Sequence, residues 1–236
     1  MRILVGAAVL PALLLLWLVY RMDKIEKEPL GLLAKLFFFG ILSVIPAIIL
    51  EKLAGSILES YRGGDGMRAF LDAFFCTALV EEICKYLAVR IGSWRSPSFD
   101  HRFDGLLYSV FVTMGFAAAE NLLYVLRIGL SVAPVRAIFS IPGHLAFGIA
   151  MGIQYTNEKT SALAGNRHRA SGCRVLALVL PILLHGFFDF CLMSGSWLLS
   201  AVFFLFAIAL DVYSFFSVRR MSRSDAPNRA GCPGIY

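Results

Sequence analysis

Long apolar runs, separated by polar connections, dominate the chain. Seven stand out, at residues 3–20, 30–50, 69–92, 105–126, 137–155, 174–193 and 197–217. None alternates apolar with polar positions as a half-buried strand does, and each is close to the ~20 residues a helix needs to cross a bilayer core. Backbone groups in hydrocarbon must satisfy one another, so segments of this kind are helices. The pattern predicts an all-α, polytopic transmembrane bundle of about seven spans. The longest connections, about 18 to 20 residues rich in Gly, Ser, Arg and Asn, are too short to fold alone. Residues 1–218 therefore read as one membrane domain, followed by a short basic tail at 219–236.

Composition agrees. The chain is 58% hydrophobic and 16% charged, with a mean hydropathy of +0.74, against about a quarter charged in soluble domains. Charge sets the orientation. Connections one, three and five and the tail carry fourteen Lys and Arg residues, and the opposite side carries six. By the positive-inside rule this places the N-terminus outside and the C-terminus in the cytosol, as a multi-pass protein of the plasma membrane. The net charge of +6 is thereby topological. No basic surface interleaved with aromatics points to nucleic acid. The first run resembles a signal peptide, yet no small-x-small cleavage site follows it, so it reads as the first helix.

The five cysteines, Cys76, Cys84, Cys173, Cys191 and Cys232, form no C-x-x-C pair, which argues against a disulfide framework or cysteine metal site. Cys232 lies too far from the fourth-last position for prenylation. Trp17, Trp94 and Trp197 mark span ends. Gly148 with Gly152, and Gly115 with Ala119, are small-residue pairs suited to close helix packing.

Ionisable residues within spans are costly and face a cavity or a partner. Here they are Glu81, Glu82 and Lys85 in the third helix, Glu120 in the fourth, His144 in the fifth, and His185 and Asp189 in the sixth. Glu81 and Lys85, like His185 and Asp189, lie one turn apart on a common face, and Glu82 is the i, i+3 alternative partner for Lys85. At 1.5 Å per residue Glu120, His144, His185 and Asp189 fall roughly 6 to 12 Å below the outer helix ends, with both glutamates of the third helix near mid-span. Carboxylates and imidazoles in one layer suit a metal such as zinc with an open position for water, and a spare glutamate can take that water's proton. A soluble-type H-E-x-x-H helix is absent, so separate helices must assemble any metal site. Structural alternatives attach to each group: His144 as a packing hydrogen bonder near a kink at Pro142 and Gly143, Asp189 as an orienting partner of His185, and the glutamates with Lys85 as an ion pair. Asp72 and Asp211 read as interfacial. His101 and His168, in arginine-rich connections, are expected to be solvated.

Taken together these residues resemble the PrsW family, intramembrane peptidases related to the CAAX-prenyl endopeptidases. Its E-E-x-x-K pattern matches Glu81 to Lys85, F-x-x-x-E matches Phe116 to Glu120, and H-x-x-x-D matches His185 to Asp189. The E-K-E-P run at Glu26 to Pro29, the F-D-G at Phe103 to Gly105, and His144 also correspond. The resemblance implies an intramembrane endopeptidase, a hydrolase that cuts a single-span membrane protein near its extracytoplasmic face, with anti-sigma factors as one substrate class. On this footing Glu120, His144 and His185 are expected to bind zinc, with Asp189 as a further ligand or supporting partner. Glu81 is expected to act as general base, Glu82 as its support and Lys85 as their counter-charge, the choice between the two glutamates being even. Catalysis without metal, by glutamate and histidine acting directly on water, is a variant. The rival is a proton- or cation-coupled transporter, which also needs buried charge; the absence of an internal repeat counts against it.

Overall fold

The computed structural model describes residues 2–228, and all seven runs are helical. Helix α1 is Arg2–Met22 and α2 is Leu30–Leu58. Helix α3 covers residues 65–93 as Asp65–Leu71, π-helical Asp72–Ala78 and Leu79–Ser93. Helix α4 is Arg102–Ile128. Helix α5 runs over Leu130–Leu163, passing through a 3-10 turn and π-helical Arg136–Ser140 before Ile141–Leu163. Helices α6 and α7 are Arg167–Met193 and Trp197–Arg223. Six of the seven are long and apolar enough to cross a membrane. The exception is α3, which holds Asp72, Glu81, Glu82 and Lys85 close together.

The helices outrun the apolar runs. The connections expected at 18 to 20 residues shrink to 59–64 and 164–166, because polar helix ends carry on beyond the hydrocarbon pattern. Helix α2 continues through Glu51 and Lys52, and α5 through Glu158 and Lys159.

Helix α4 is the axis of the bundle, buried on nearly every side from Arg102 to Ala118 and packed against α1, α2 and α5. Small residues permit this. A Cβ on Gly115 would stand 2.1 Å from the Phe37 carbonyl oxygen of α2, and one on Gly152 would stand 2.6 Å from the Leu106 Cα. One member of each expected small-residue pair therefore sits at a close approach to a neighbouring backbone, while Gly148 faces the Thr113 side chain. Outward faces of α2, α6 and α7 remain apolar and exposed, at Leu42, Ile49, Leu183 and Leu205 for example, where lipid would cover them. Cys76, Cys84, Cys173 and Cys191 are buried free thiols; Cys232 lies outside the described residues.

At the arginine-rich end a second polar layer ties α3, α5 and α6. The fully buried Glu158 accepts from Arg90 Nη1 at 2.9 Å and Arg174 Nε at 2.7 Å, with the Tyr86 hydroxyl at 3.2 Å. His168 is exposed as expected. His101 is not: its side chain is only 13% exposed, enclosed by the connection ahead of α4 and by residues that follow α7.

Candidate active site

Two π-helical stretches flank the polar layer, Asp72–Ala78 just before Glu81 and Arg136–Ser140 just before His144. Each widens its helix by one residue per turn, a distortion that recurs at functional sites. Pro142 gives the second a local cause, since it brings no N–H to the regular ladder. The expected kink is thus realised as a widened turn that carries Arg136 and His144 inward.

Lys85 is the hub. Its ammonium, fully buried, donates to Glu81 Oε2 and Glu82 Oε1, each at 2.8 Å, and stands 3.2 Å from His144 Nδ1 and over the Phe116 ring. The i+3 and i+4 partners are therefore engaged together, not as alternatives. Glu82 Oε1 also meets His185 Nδ1 at 2.9 Å, while His185 Nε2 faces Asp189 Oδ2 at 3.2 Å. On the other side His144 Nε2 meets Glu120 Oε2 at 3.0 Å. The two imidazole centroids are 5.3 Å apart, with Phe147 stacked on His185. Side chains from α3, α4, α5 and α6 thus form one continuous chain of contacts, and every expected site residue belongs to it.

A cavity of about 870 Å³ opens onto this chain. Glu81, Glu120, His144, His185 and Asp189 line it, whereas Glu82 and Lys85 are sealed behind. Its wall continues through Glu51 and Lys52 of α2, Arg127 of α4 and Ser200 of α7. All of these lie toward the helix ends opposite the arginine-rich face, the side that the charge bias assigns to the exterior.

Two lining residues carry chemistry that the apolar pattern hid. Arg136 Nη2 donates to Glu120 Oε2 at 2.7 Å and its Nε to Asn121 Oδ1 at 2.9 Å, while Asn121 Nδ2 reaches the Ala8 carbonyl at 2.7 Å. In the sequence Arg136 counts only as an outer-side charge; its place two turns before His144 was the available signal. Glu51 lies one residue past the second apolar run, and only the extension of α2 brings it to the cavity.

Among the described residues here, the ligand atoms of Glu81, Glu82 and His144 form a compact triple, all within 4.8 Å of one another. The Lys85 ammonium already lies against all three. Glu120 and His185 stand one contact out from that triple, through His144 and Glu82, and Asp189 one further, against His185. Donor chemistry fits a divalent ion. Both Nε2 atoms face a carboxylate within the cavity, and His185 is oriented from behind by Glu82 as metal-binding imidazoles are by supporting carboxylates.

Comparison with known proteins gives a consistent result. A family model described as PrsW family intramembrane metalloprotease matches residues 28–214. Proteins named Protease PrsW are similar along most of their length. The one from Oceanobacillus iheyensis is 31% identical over 95% of this chain and 99% of its own, and the one from Clostridioides difficile is 34% identical over 86% and 87%. That from Bacillus subtilis is 31% identical over 83% and 85%. No solved structure matches.

Proposed function

The chain belongs to the PrsW family of intramembrane metalloproteases, and from that premise we propose how its own side chains divide the work. As an intramembrane protease it acts on membrane protein substrates in the bilayer, so the buried charges that also suited a transporter serve hydrolysis.

Glu81 is the general base. It lines the cavity with one oxygen anchored by Lys85, which leaves the other to take a proton from a water and return it to the departing amine. Glu82 supports it from an enclosed position, and its bond to His185 Nδ1 turns Nε2 toward the cavity. Lys85 balances both carboxylates, which would otherwise repel each other in a low-dielectric setting. Arg136 fixes Glu120, and Glu120 in turn fixes His144.

A zinc ion would be held where the imidazoles meet carboxylates, by Glu120, His144 and His185 with Asp189, an arrangement that leaves Lys85 its place among the glutamates. Such an ion supplies Lewis-acid polarisation and a bound water acidic near neutral pH. The substrate is a single-span protein cut near the extracytoplasmic face, since the cavity lies toward that end of the bundle. A membrane-anchored anti-sigma factor, whose first cut opens a cascade that frees its sigma factor, is the class that the family resemblance implies.

The observation that carries this reading is the meeting of Glu81, Glu120, His144 and His185, from four helices, at one cavity. The test is cleavage of a single-span reporter by purified protein in liposomes, with metal content measured on the same sample. Glu81→Ala, His144→Ala and His185→Ala should each abolish cleavage, and undiminished cutting by all three removes the mechanism. Full activity in thoroughly chelated, metal-free protein would remove zinc and leave Glu81 and the histidines acting on water directly.

A further inference from the structure

At the end of the bundle away from the cavity, three stretches of chain converge: residues 23–29 between α1 and α2, residues 94–101 ahead of α4, and residues 225–228 after α7. His101 and Pro227 form an antiparallel bridge, the Arg102 amide donates to the Ala226 carbonyl at 3.1 Å, and Asn228 Nδ2 donates to the His101 carbonyl at 2.7 Å. Convergence gathers acids. Asp23, Glu26 and Glu28 come from the first stretch, Asp100 and Asp104 flank His101, and Asp225 comes from the tail. The Glu26 to Pro29 run and the Phe103 to Gly105 run both lie here, and neither contributes to the catalytic cavity.

Three of these carboxylates have structural work. Asp104 Oδ2 accepts from the amides of Asp100 at 3.0 Å and His101 at 2.5 Å, Asp225 Oδ1 accepts from the Phe103 amide at 2.9 Å, and Glu28 Oε2 accepts from the Tyr108 hydroxyl at 2.7 Å. The others do not. Ligand atoms of Glu26, Asp100 and His101 all lie within 4.8 Å of one another, with His101 Nδ1 2.9 Å from Asp100 Oδ1 and 3.6 Å from Glu26 Oε2. Asp23 supplies an independent sign. It is 2% exposed, and neither carboxylate oxygen has a hydrogen-bond partner of normal geometry among the described residues, the backbone amide of Glu28 lying only near enough to favour its charge. Lys27 is the cation that acts on it most strongly, but its ammonium donates to the Tyr20 and Asp23 carbonyls. The neighbouring charges that Asp23 feels include Asp225 and His101 of the same cluster.

A buried carboxylate without a partner costs several kcal/mol, and such an orphan calls for an ion or water in the functioning protein. We infer that this end of the bundle carries a second divalent-cation site, in which Glu26, Asp100 and His101 hold the ion and Asp23, which feels the charge of His101, adds to its charge balance. Carboxylate oxygens with a single imidazole suit a hard ion of the Mg²⁺ or Mn²⁺ type over a thiophilic one. Because its donors come from two connections, and the chain after α7 is paired with one of them, the ion would fasten the tail-bearing end of the molecule.

The experiment adds Mn²⁺ or Mg²⁺ alone to full-length protein in detergent micelles and follows thermal unfolding together with Mn²⁺ binding by electron paramagnetic resonance. His185→Ala, which disables the catalytic cavity, serves as the background that removes its contribution. On that background Mn²⁺ should still bind and raise the unfolding temperature. Adding Asp100→Asn with His101→Ala should abolish both effects, and the exposed Glu26→Gln, which disturbs no packing, should weaken binding by about tenfold or more. An unaltered Mn²⁺ response in the Glu26→Gln or Asp100→Asn/His101→Ala proteins overturns the site. So does loss of the whole response in His185→Ala, which would place the ion in the catalytic cavity.

Discussion

Lys85→Met removes the ammonium that holds the polar layer together while keeping the length and apolar volume of the side chain. Lys85 is fully buried, and of the two carboxylates it meets at 2.8 Å Glu82 is wholly enclosed and cannot turn to water when the cation goes, while Glu81, 5% exposed, reaches only the cavity. Removing one partner of a buried ion pair costs about 3 to 5 kcal/mol, because the remaining charge stays buried and unbalanced. That corresponds to a rise in the unfolding constant of about two to three and a half orders of magnitude. The assay is reversible unfolding in mixed micelles, with reporter cleavage measured in parallel. The control is the triple variant Glu81→Met, Glu82→Met, Lys85→Met, in which no net charge remains at the hub. Replacing a whole buried ionic group by apolar side chains of similar volume is often nearly free, so the triple variant should recover most of the lost stability and cleave nothing. A loss below about 1 kcal/mol for Lys85→Met, or a triple variant no more stable than the single, refutes Lys85 as the electrostatic hub.

Arg136→Ala should lower cleavage about 10- to 100-fold, the range typical of groups that orient a ligand or catalytic side chain, while Arg136→Lys, which keeps the charge but not the fork shared by Glu120 and Asn121, recovers only part of it; full activity in Arg136→Ala would remove its positioning role. Burial lifts the Glu28 carboxyl from 4.5 to about 7, against the pull of the Tyr108 hydroxyl and with nearby Asp23 and Asp100 adding to the rise. Between those two values the folded protein holds a proton that the unfolded chain has released, so stability should fall as pH rises from about 4.5 to 7. In unfolding measurements without divalent cation, Glu28→Gln should lessen that slope, and an unchanged slope would assign it to other groups. Gly115→Val places a branched side chain where a Cβ already meets the Phe37 carbonyl at 2.1 Å, so α2 and α4 must separate. A destabilisation of a few kcal/mol is expected from overpacking, and wild-type unfolding would show that this contact yields.

Several features were legible without coordinates. Seven helices followed from the apolar runs because hydrocarbon leaves the backbone no other way to satisfy itself. Glu81, Glu82, Lys85, Glu120, His144, His185 and Asp189 announced themselves because charge within a span is too costly to be incidental. The shared depth expected of Glu120, His144, His185 and Asp189 followed from a fixed rise per residue along helices that alternate in direction. What only the tertiary structure decided is how those side chains divide. Lys85 meets both glutamates at once, Glu81 faces the cavity while Glu82 is enclosed, Arg136 turns from a topological charge into the anchor of Glu120, and His101 is enclosed, not solvated. Each depends on the rotation of a helix about its axis and on a shift of an ångström or two along it. Near-uniformly apolar spans leave that rotation unmarked, because lipid and neighbouring helices are equally apolar. It is set by where backbones can touch, at Gly115 and Gly152, and by the extra residue in each π-helical stretch, which are contacts between segments far apart in the chain.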